Sequence, residues 1–406
     1  MKYVPAILFF IFLSLTGSSQ RTIKGRVVNA TTGTAIPSSS VFISNTSKGT
    51  ISDNAGHFVL NDVSAGKHEL IISCIGYETN VFSFSDEQLP LQLKIELTIK
   101  VKELQNVTVE PSVEEGWDKW GRAFMDNFVG NTANAKQCRI KNEKAIRFRY
   151  YKKTNRLTAY CDEPVLLENR ALGYNISYQL ENFEVNFSSR SMFYLGYSLF
   201  SPIDKEGRSK EQKWEKNREE AYNGSIMHFM RSLYADSLLE EGFEIRRMLR
   251  TPNYEKQRVR NAYLASRVVK TDAVTGKTTA KIPRDSMDYY ESVMQQNDYV
   301  ETYGTSLLTA DSLIIETAGA FKGLSFDDYL FITYKNEKEE AGYVRTQSPE
   351  RRAGLQRSYV TLLNDKLISL NKSGNFYNPQ DFFCSGDWGW REKMANSLPL
   401  DYEAGK

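Results

Sequence analysis

The chain has 406 residues, a length that suits two domains, and its hydrophobic fraction of 41%, with 12% aromatic residues, suffices for sizeable apolar cores. Its 52 basic residues stand against 50 acidic ones, a formal net charge of +2. That balance lacks the basic excess that marks a nucleic-acid partner, so no nucleic-acid binding is expected.

At the N-terminus, Lys2 precedes an apolar run from Val4 to Leu15, and the small residues Gly17 and Ser19 stand before Gln20. This pattern predicts a signal peptide over residues 1–19, too short for a comfortable membrane span. No cysteine sits at the cleavage region and no later run approaches spanning length. The expectation is an exported mature chain without a transmembrane segment, periplasmic, associated with the outer membrane, or secreted.

From Ile23 to Val109 short alternating stretches are separated by turns such as "SDNAG" and "SAGKH". Strand-length segments at a spacing of roughly 8–12 residues predict an all-β sandwich over residues 20–110. Gly49 and Gly56 bracket a hairpin. Alternation selects Phe58, Leu60, Leu70, Ile72, Cys74 and Ile75 as core candidates, although Cys74 and Ile75 cannot both face one side. Tyr77 is expected to cap one end. Asp53 and Asn54 lack the alternating oxygen ligands and terminal Glu of a calcium loop, so a turn role is expected for Asp53.

The motifs "KGRVVNATTGTAIPSSSVFI", "GTISDNAGHFVL" and "SCIGYET" together resemble the carboxypeptidase-like regulatory domain. The resemblance implies a transthyretin-like, seven-stranded fold at the front of exported Gram-negative proteins. It does not imply peptidase activity. The chain holds only His57, His68 and His228, none in an H-x-x-E or H-E-x-x-H pattern, so neither a catalytic zinc set nor a cofactor is expected. The exit "LQLKIELTIKVKELQNVTVEP" is similar to that of such domains in TonB-dependent receptors. A receptor barrel of about 22 strands, each of about 10 residues, does not fit beside the charged helical middle of the remaining chain.

Residues 111–406 predict a larger α+β domain with an antiparallel sheet and a helical middle. Trp117, Trp120, Phe124 and Phe128 share one helical stripe that Gly130 ends. A hairpin turns near Thr154-Asn155, and the alternation through Tyr174, Ile176, Tyr178 and Leu180 shifts phase at Phe183, as a bulge near Glu181-Asn182 would require. "SKEQKWEKNREEAY" reads as a charged helix. In "YNGSIMHFMRSL", Ile226, Phe229, Met230 and Leu233 fall at helical spacing, with Ser225 as N-cap and Gly242 as stop. A further helix begins at Pro283 after a polar loop, strands return, and a short helix closes the chain. The motifs "GWDKWGRAF", "ALGYNISYQLENF", "YNGSIMHFMRSL" and "GDWGWREKMANSLPLDY" are similar to a C-terminal region joined to this sandwich in exported proteins of unknown role, which implies no chemistry.

Four cysteines are present, Cys74, Cys138, Cys161 and Cys384; Cys138 and Cys161 are the expected pair if any disulfide forms, and Cys74 is expected as a buried free thiol. Seven Asn-x-Ser/Thr sequons, at Asn29, Asn45, Asn106, Asn175, Asn186, Asn223 and Asn371, read as chance in an Asn- and Ser-rich chain.

Two candidate sites emerge. Ser225 and His228 lie one helical turn apart, with Tyr222 and Arg231 nearby, the spacing for Ser-His nucleophilic chemistry, but no G-x-S-x-G elbow or acid partner accompanies them. Near the C-terminus Trp388, Trp390, Tyr377 and Phe376 stand beside Asp381 and Asp387, a composition able to stack on sugars. The sequence therefore predicts an exported, non-enzymatic envelope accessory protein whose second domain binds an envelope protein or a glycan. A hydrolase centred on Ser225 and His228 is the alternative.

Overall fold

A computed structural model of the protein describes residues 21–100, 111–204, 207–266, 270–271, 278–279, 287–317, 320–364 and 367–405. The expected signal peptide, the exit strand at 107–109 and the start of a helix at Pro283 lie outside the described residues. The chain divides into two compact units, one covering 1–109 with Tyr197–Phe200, the other the rest.

The first unit holds seven strands, β1 (Ile23–Asn29), β2 (Ser40–Ile43), β3 (Gly49–Ile51), β4 (His57–Leu60), β5 (Lys67–Ser73), β6 (Asn80–Ser85) and β7 (Leu91–Leu97). One sheet has the order β4-β1-β7, the other β3-β2-β5-β6. β1 runs antiparallel to β4 and parallel to β7. Period-two alternation puts Ile23, Val27, Phe58 and Leu60 of one sheet into a shared core with Val41, Ile43, Leu70 and Ile72 of the other. Cys74 turns toward that core and Ile75 is 69% exposed, which settles which of the two faces inward. Cys74 is a free but only partly buried thiol. Tyr77 packs on the core edge, and its hydroxyl accepts a 3.4 Å hydrogen bond from Asn29 Nδ2. In the β3–β4 turn, Asp53 Oδ1 accepts from the Ala55 and His57 amides at 2.9 and 2.8 Å, and Gly56 takes φ +79°.

The second unit begins with β8 (Ser112–Glu115), β9 (Cys138–Ile140), β10 (Ile146–Tyr151), β11 (Arg156–Cys161), β12 (Val165–Asn169), β13 (Tyr174–Asn186) and β14 (Ser191–Pro202). Their sheet has the order β8-β10-β11-β13-β12-β9, with β14 also paired to β13. β13 stays one strand through the phase shift. Glu181 and Asn182 are both exposed between Leu180 and Phe183, both buried, and the shift falls between its pairings with β12 and with β11. Against this sheet packs α1 (Trp117–Phe124), prolonged by a wide turn through Val129 to Gly130 at φ +101°. Phe124 meets Phe148 and Phe183 at ring distances of 5.8 and 4.7 Å.

The expected Cys138–Cys161 bridge does not form, and none of the four cysteines is in a disulfide. Cys138 lies on β9 and Cys161 on β11, with β12 and β13 between them. At about 4.8 Å per strand the two backbones stand roughly 14 Å apart, twice the reach of a disulfide.

Two helices follow, α2 (Arg208–Tyr222) and α3 (Ile226–Ala235). α2 is charged as expected but is not wholly solvated, since Trp214 is buried and donates from Nε1 to the Arg170 carbonyl at 2.9 Å. α3 ends at Asp236 in the left-handed region, φ +56°, six residues before the end that Gly242 suggested. An Asp can close a helix in this way because its short polar side chain tolerates that conformation.

The remaining elements are β15 (Phe243–Pro252), α4 (Tyr254–Ser266), the short pair β16 (Lys270–Thr271) and β17 (Thr278–Thr279), α5 (Met287–Gln295), β18 (Tyr299–Tyr303), β19 (Ile314–Glu316), β20 (Phe321–Leu324), β21 (Tyr329–Lys338), α6 (Ala341–Gln347), β22 (Leu355–Leu362), β23 (Ile368–Asn371), β24 (Phe382–Gly386) and α7 (Asp387–Arg391). A five-stranded sheet runs β18-β15-β21-β22-β24, and a three-stranded sheet runs β19-β20-β23. The buried face of α3, with Phe229, Met230 and Leu233, joins Phe243, Ile245, Leu330, Ile332 and Trp388 in one core. The chain is thus a transthyretin-like β-sandwich followed by a larger α+β unit.

Candidate functional site

The Ser225 hydroxyl accepts from the His228 backbone amide at 3.0 Å, the N-cap bond that satisfies one free donor of α3. It makes no hydrogen bond to the imidazole, whose partners are Gly224 and Glu241. His228 is buried, and its Nδ1 accepts from the Gly224 amide at 3.2 Å. That leaves the proton on Nε2, which donates to Glu241 Oε2 at 3.1 Å. The ring stacks on Tyr222 at 4.7 Å and meets Phe243 and Tyr334 edge-on. Burial holds its pKa below the ordinary histidine value, against the pull of Glu241. Both nitrogens are therefore committed, and neither is free to take the Ser225 proton.

Arg231 is equally committed. Its Nε donates to the Ser373 carbonyl at 2.9 Å, and its two terminal nitrogens donate to the Tyr402 and Leu400 carbonyls at 3.0 Å each. Three backbone acceptors make it the clamp on the C-terminal tail. Gly224 ties these parts together. It sits at φ +70°, donates to His228 and accepts from Trp388 Nε1 at 2.7 Å, and a Cβ there would lie 2.3 Å from Gln356 Oε1.

The C-terminal aromatics separate. Trp388 is only 2% exposed and packs edge-on against Phe229, so it belongs to the core. Phe376 packs on Phe382, and Tyr377 meets Phe321. Asp381 is buried and accepts from Asn364 Nδ2 at 2.9 Å. Asp387 is 1% exposed, its Oδ2 has no hydrogen-bond partner, and burial pushes its carboxyl up to about 6. Of the expected binding set, Trp388 and Trp390 both border an open space; Trp390 is the less buried of the two and packs beside Tyr343 at 5.7 Å.

That space is a cavity of about 860 Å³ within the second unit. Its walls come from the β13–β14 hairpin (Arg190 to Tyr194), α6, the end of β22, β24 and the segment through α7 to Lys393. Trp390, Tyr343, Phe383, Tyr329, Phe193 and Tyr194 supply aromatic surface. Cys384, Glu392 and Lys393 add polar groups. Burial raises the Cys384 thiol to about 12, so it is an inert lining group. The Glu392 carboxyl accepts from the Ile226 amide at the start of α3, its Oε1 is sealed without a partner, and burial pushes it up to about 7. Lys393 donates from Nζ to the Met192 sulfur at 3.1 Å, and burial lowers its pKa. Sequence reasoning missed Cys384, Glu392 and Lys393 as a group; the only available signal was their closeness in sequence to Trp390.

Among the described residues no group of three or more His, Cys, Asp or Glu side chains is placed to hold a metal ion. Among the same residues no helix is long and apolar enough to cross a membrane.

Comparison with known proteins defines the class of the first unit. Residues 23–109 match the CarboxypepD_reg-like domain family, and the two-sheet topology described above is that of a carboxypeptidase-regulatory-like sandwich. No curated protein matches the chain. Among solved structures, similarity is found to a type II cohesin–X-dockerin complex from Acetivibrio cellulolyticus, at 23% identity over 19% of this chain and 51% of that one, with a TM-score of 0.15. The chain thus spans about half the length of that relative. A membrane-associated protein of unknown function from Bacteroides fragilis is similar at 10% identity over 87% of this chain and 95% of that one, TM-score 0.16. A 9R-lipoxygenase from Cyanothece is similar at 9% identity over 60% and 51%, TM-score 0.16.

Proposed function

We propose that the protein is an exported, non-enzymatic accessory protein of the cell envelope, whose second unit binds a saccharide in the aromatic cavity. The observation that carries this reading is the cavity itself, about 860 Å³ and walled by Trp390, Tyr343 and Phe383. Small-ligand sites fall between about 300 and 1,000 Å³ and combine apolar walls with a few polar groups. Exposed aromatic faces beside hydroxyl and amide groups suit the alternating apolar and hydroxylated faces of a sugar ring. Export is supported by Lys2 and the apolar run Val4 to Leu15. The non-enzymatic part is supported by the commitments of Ser225, His228 and Arg231 to the scaffold.

A glycan array probed with the wild-type protein and with Trp390→Ala tests the binding claim. Wild-type signal on a restricted set of saccharides, reduced at least about tenfold by the substitution, is the expected result. Equal signal from both proteins would place the site elsewhere. Recovery of the native protein from the cytoplasmic fraction would end the export claim.

A further inference from the structure

We infer that the cavity selects saccharides bearing a carboxylate, and that Lys393 is the residue recognising it; this rests on the saccharide reading above. Lys393 reaches the cavity with its Nζ bonded to the Met192 sulfur at 3.1 Å, and a thioether is a weak acceptor. Among the described residues no carboxylate stands within ion-pair distance of that ammonium. A desolvated cation without an anion costs free energy, which a ligand carboxylate would offset by supplying the missing partner.

The other charged groups of the cavity reinforce this sign. Glu184 is already paired with Arg156 at 2.8 Å. The Glu392 carboxyl takes the Ile226 amide, and burial pushes its pKa up to about 7, which weakens it as a counter-ion for its neighbour. Arg190, at the tip of the β13–β14 hairpin, has no carboxylate partner among the described residues. Two cations thus line the cavity without anions of their own, and the aromatic walls leave the sugar ring a place to stack.

Trigalacturonate and its fully methyl-esterified form differ in charge while keeping the same rings. Isothermal titration calorimetry of the full chain at low salt should show the free acid binding at least about tenfold tighter than the ester, the worth of one charge-assisted hydrogen bond. Lys393→Met should close that gap, and Lys393→Arg should keep one. Equal affinities in the wild type, or a gap that survives Lys393→Met, would overturn the inference. Binding of a neutral saccharide with neither galacturonate form bound would remove this inference and leave the wider reading standing. Absence of any saccharide binding would remove both.

Discussion

Ser225 and His228 share a spacing that two physical roles can use, and the hydrogen bonds decide between them. A serine three residues before the amide it caps is also a serine one helical turn from a histidine. The sequence exposes the spacing but not the direction of the hydroxyl. Here Oγ points to a backbone amide, so Ser225→Ala should cost about 1 kcal/mol in denaturant unfolding, and Ser225→Asp should recover most of it. The sequons follow the same logic. Asn29, Asn186 and Asn371 each use Oδ1 to accept from amides two to four residues on, which makes them turn formers. Buried carboxyls give the residue scale its pH dependence. Glu392 and Asp387 bind protons more tightly when folded, at about 7 and about 6, than unfolded. Their contribution is fully present below about pH 4 and is lost as pH rises through those values. Glu392 alone amounts to about 3 kcal/mol. Stability should therefore fall between about pH 4 and pH 7, and Glu392→Gln should flatten much of that fall; an unchanged slope would show that its carboxyl is not the titrating group.

At the scale of elements, the sandwich was legible because strict alternation and turn residues agree over β1 to β5. Gly56 illustrates the agreement, since the turn needs its positive φ and a Cβ there would lie 2.4 Å from the Val27 carbonyl oxygen. Gly56→Ala should destabilise the first unit by about 2 kcal/mol or more, seen as an early transition in thermal melts. Helix ends were less legible. Gly242 carries the expected left-handed conformation, yet Asp236 adopts it first and closes α3 there. The cysteine pair failed for a related reason, because strand order in space, with β12 and β13 between, is not written in local spacing. Arg231 acts between elements by holding three carbonyls. Arg231→Met should speed hydrogen exchange over residues 399–405 at least about tenfold while leaving α3 protected.

For the whole molecule, the division into a β-sandwich and a larger α+β unit follows from a change of periodicity near residue 111. The cavity does not follow in that way. Its lining comes from five segments between Glu184 and Lys393, and of the residues that stood out by type only Trp390 and Trp388 border it. Trp388, two residues away, looks the same in sequence but is core. Hydrogen-exchange mass spectrometry, with and without the tightest-binding saccharide from the array, probes the site without any substitution. Slowed exchange confined to residues 190–194, α6, the end of β22 and residues 382–393 is the result predicted. Slowed exchange in β1 to β7, or none anywhere at saturating ligand, would contradict a saccharide site in this cavity.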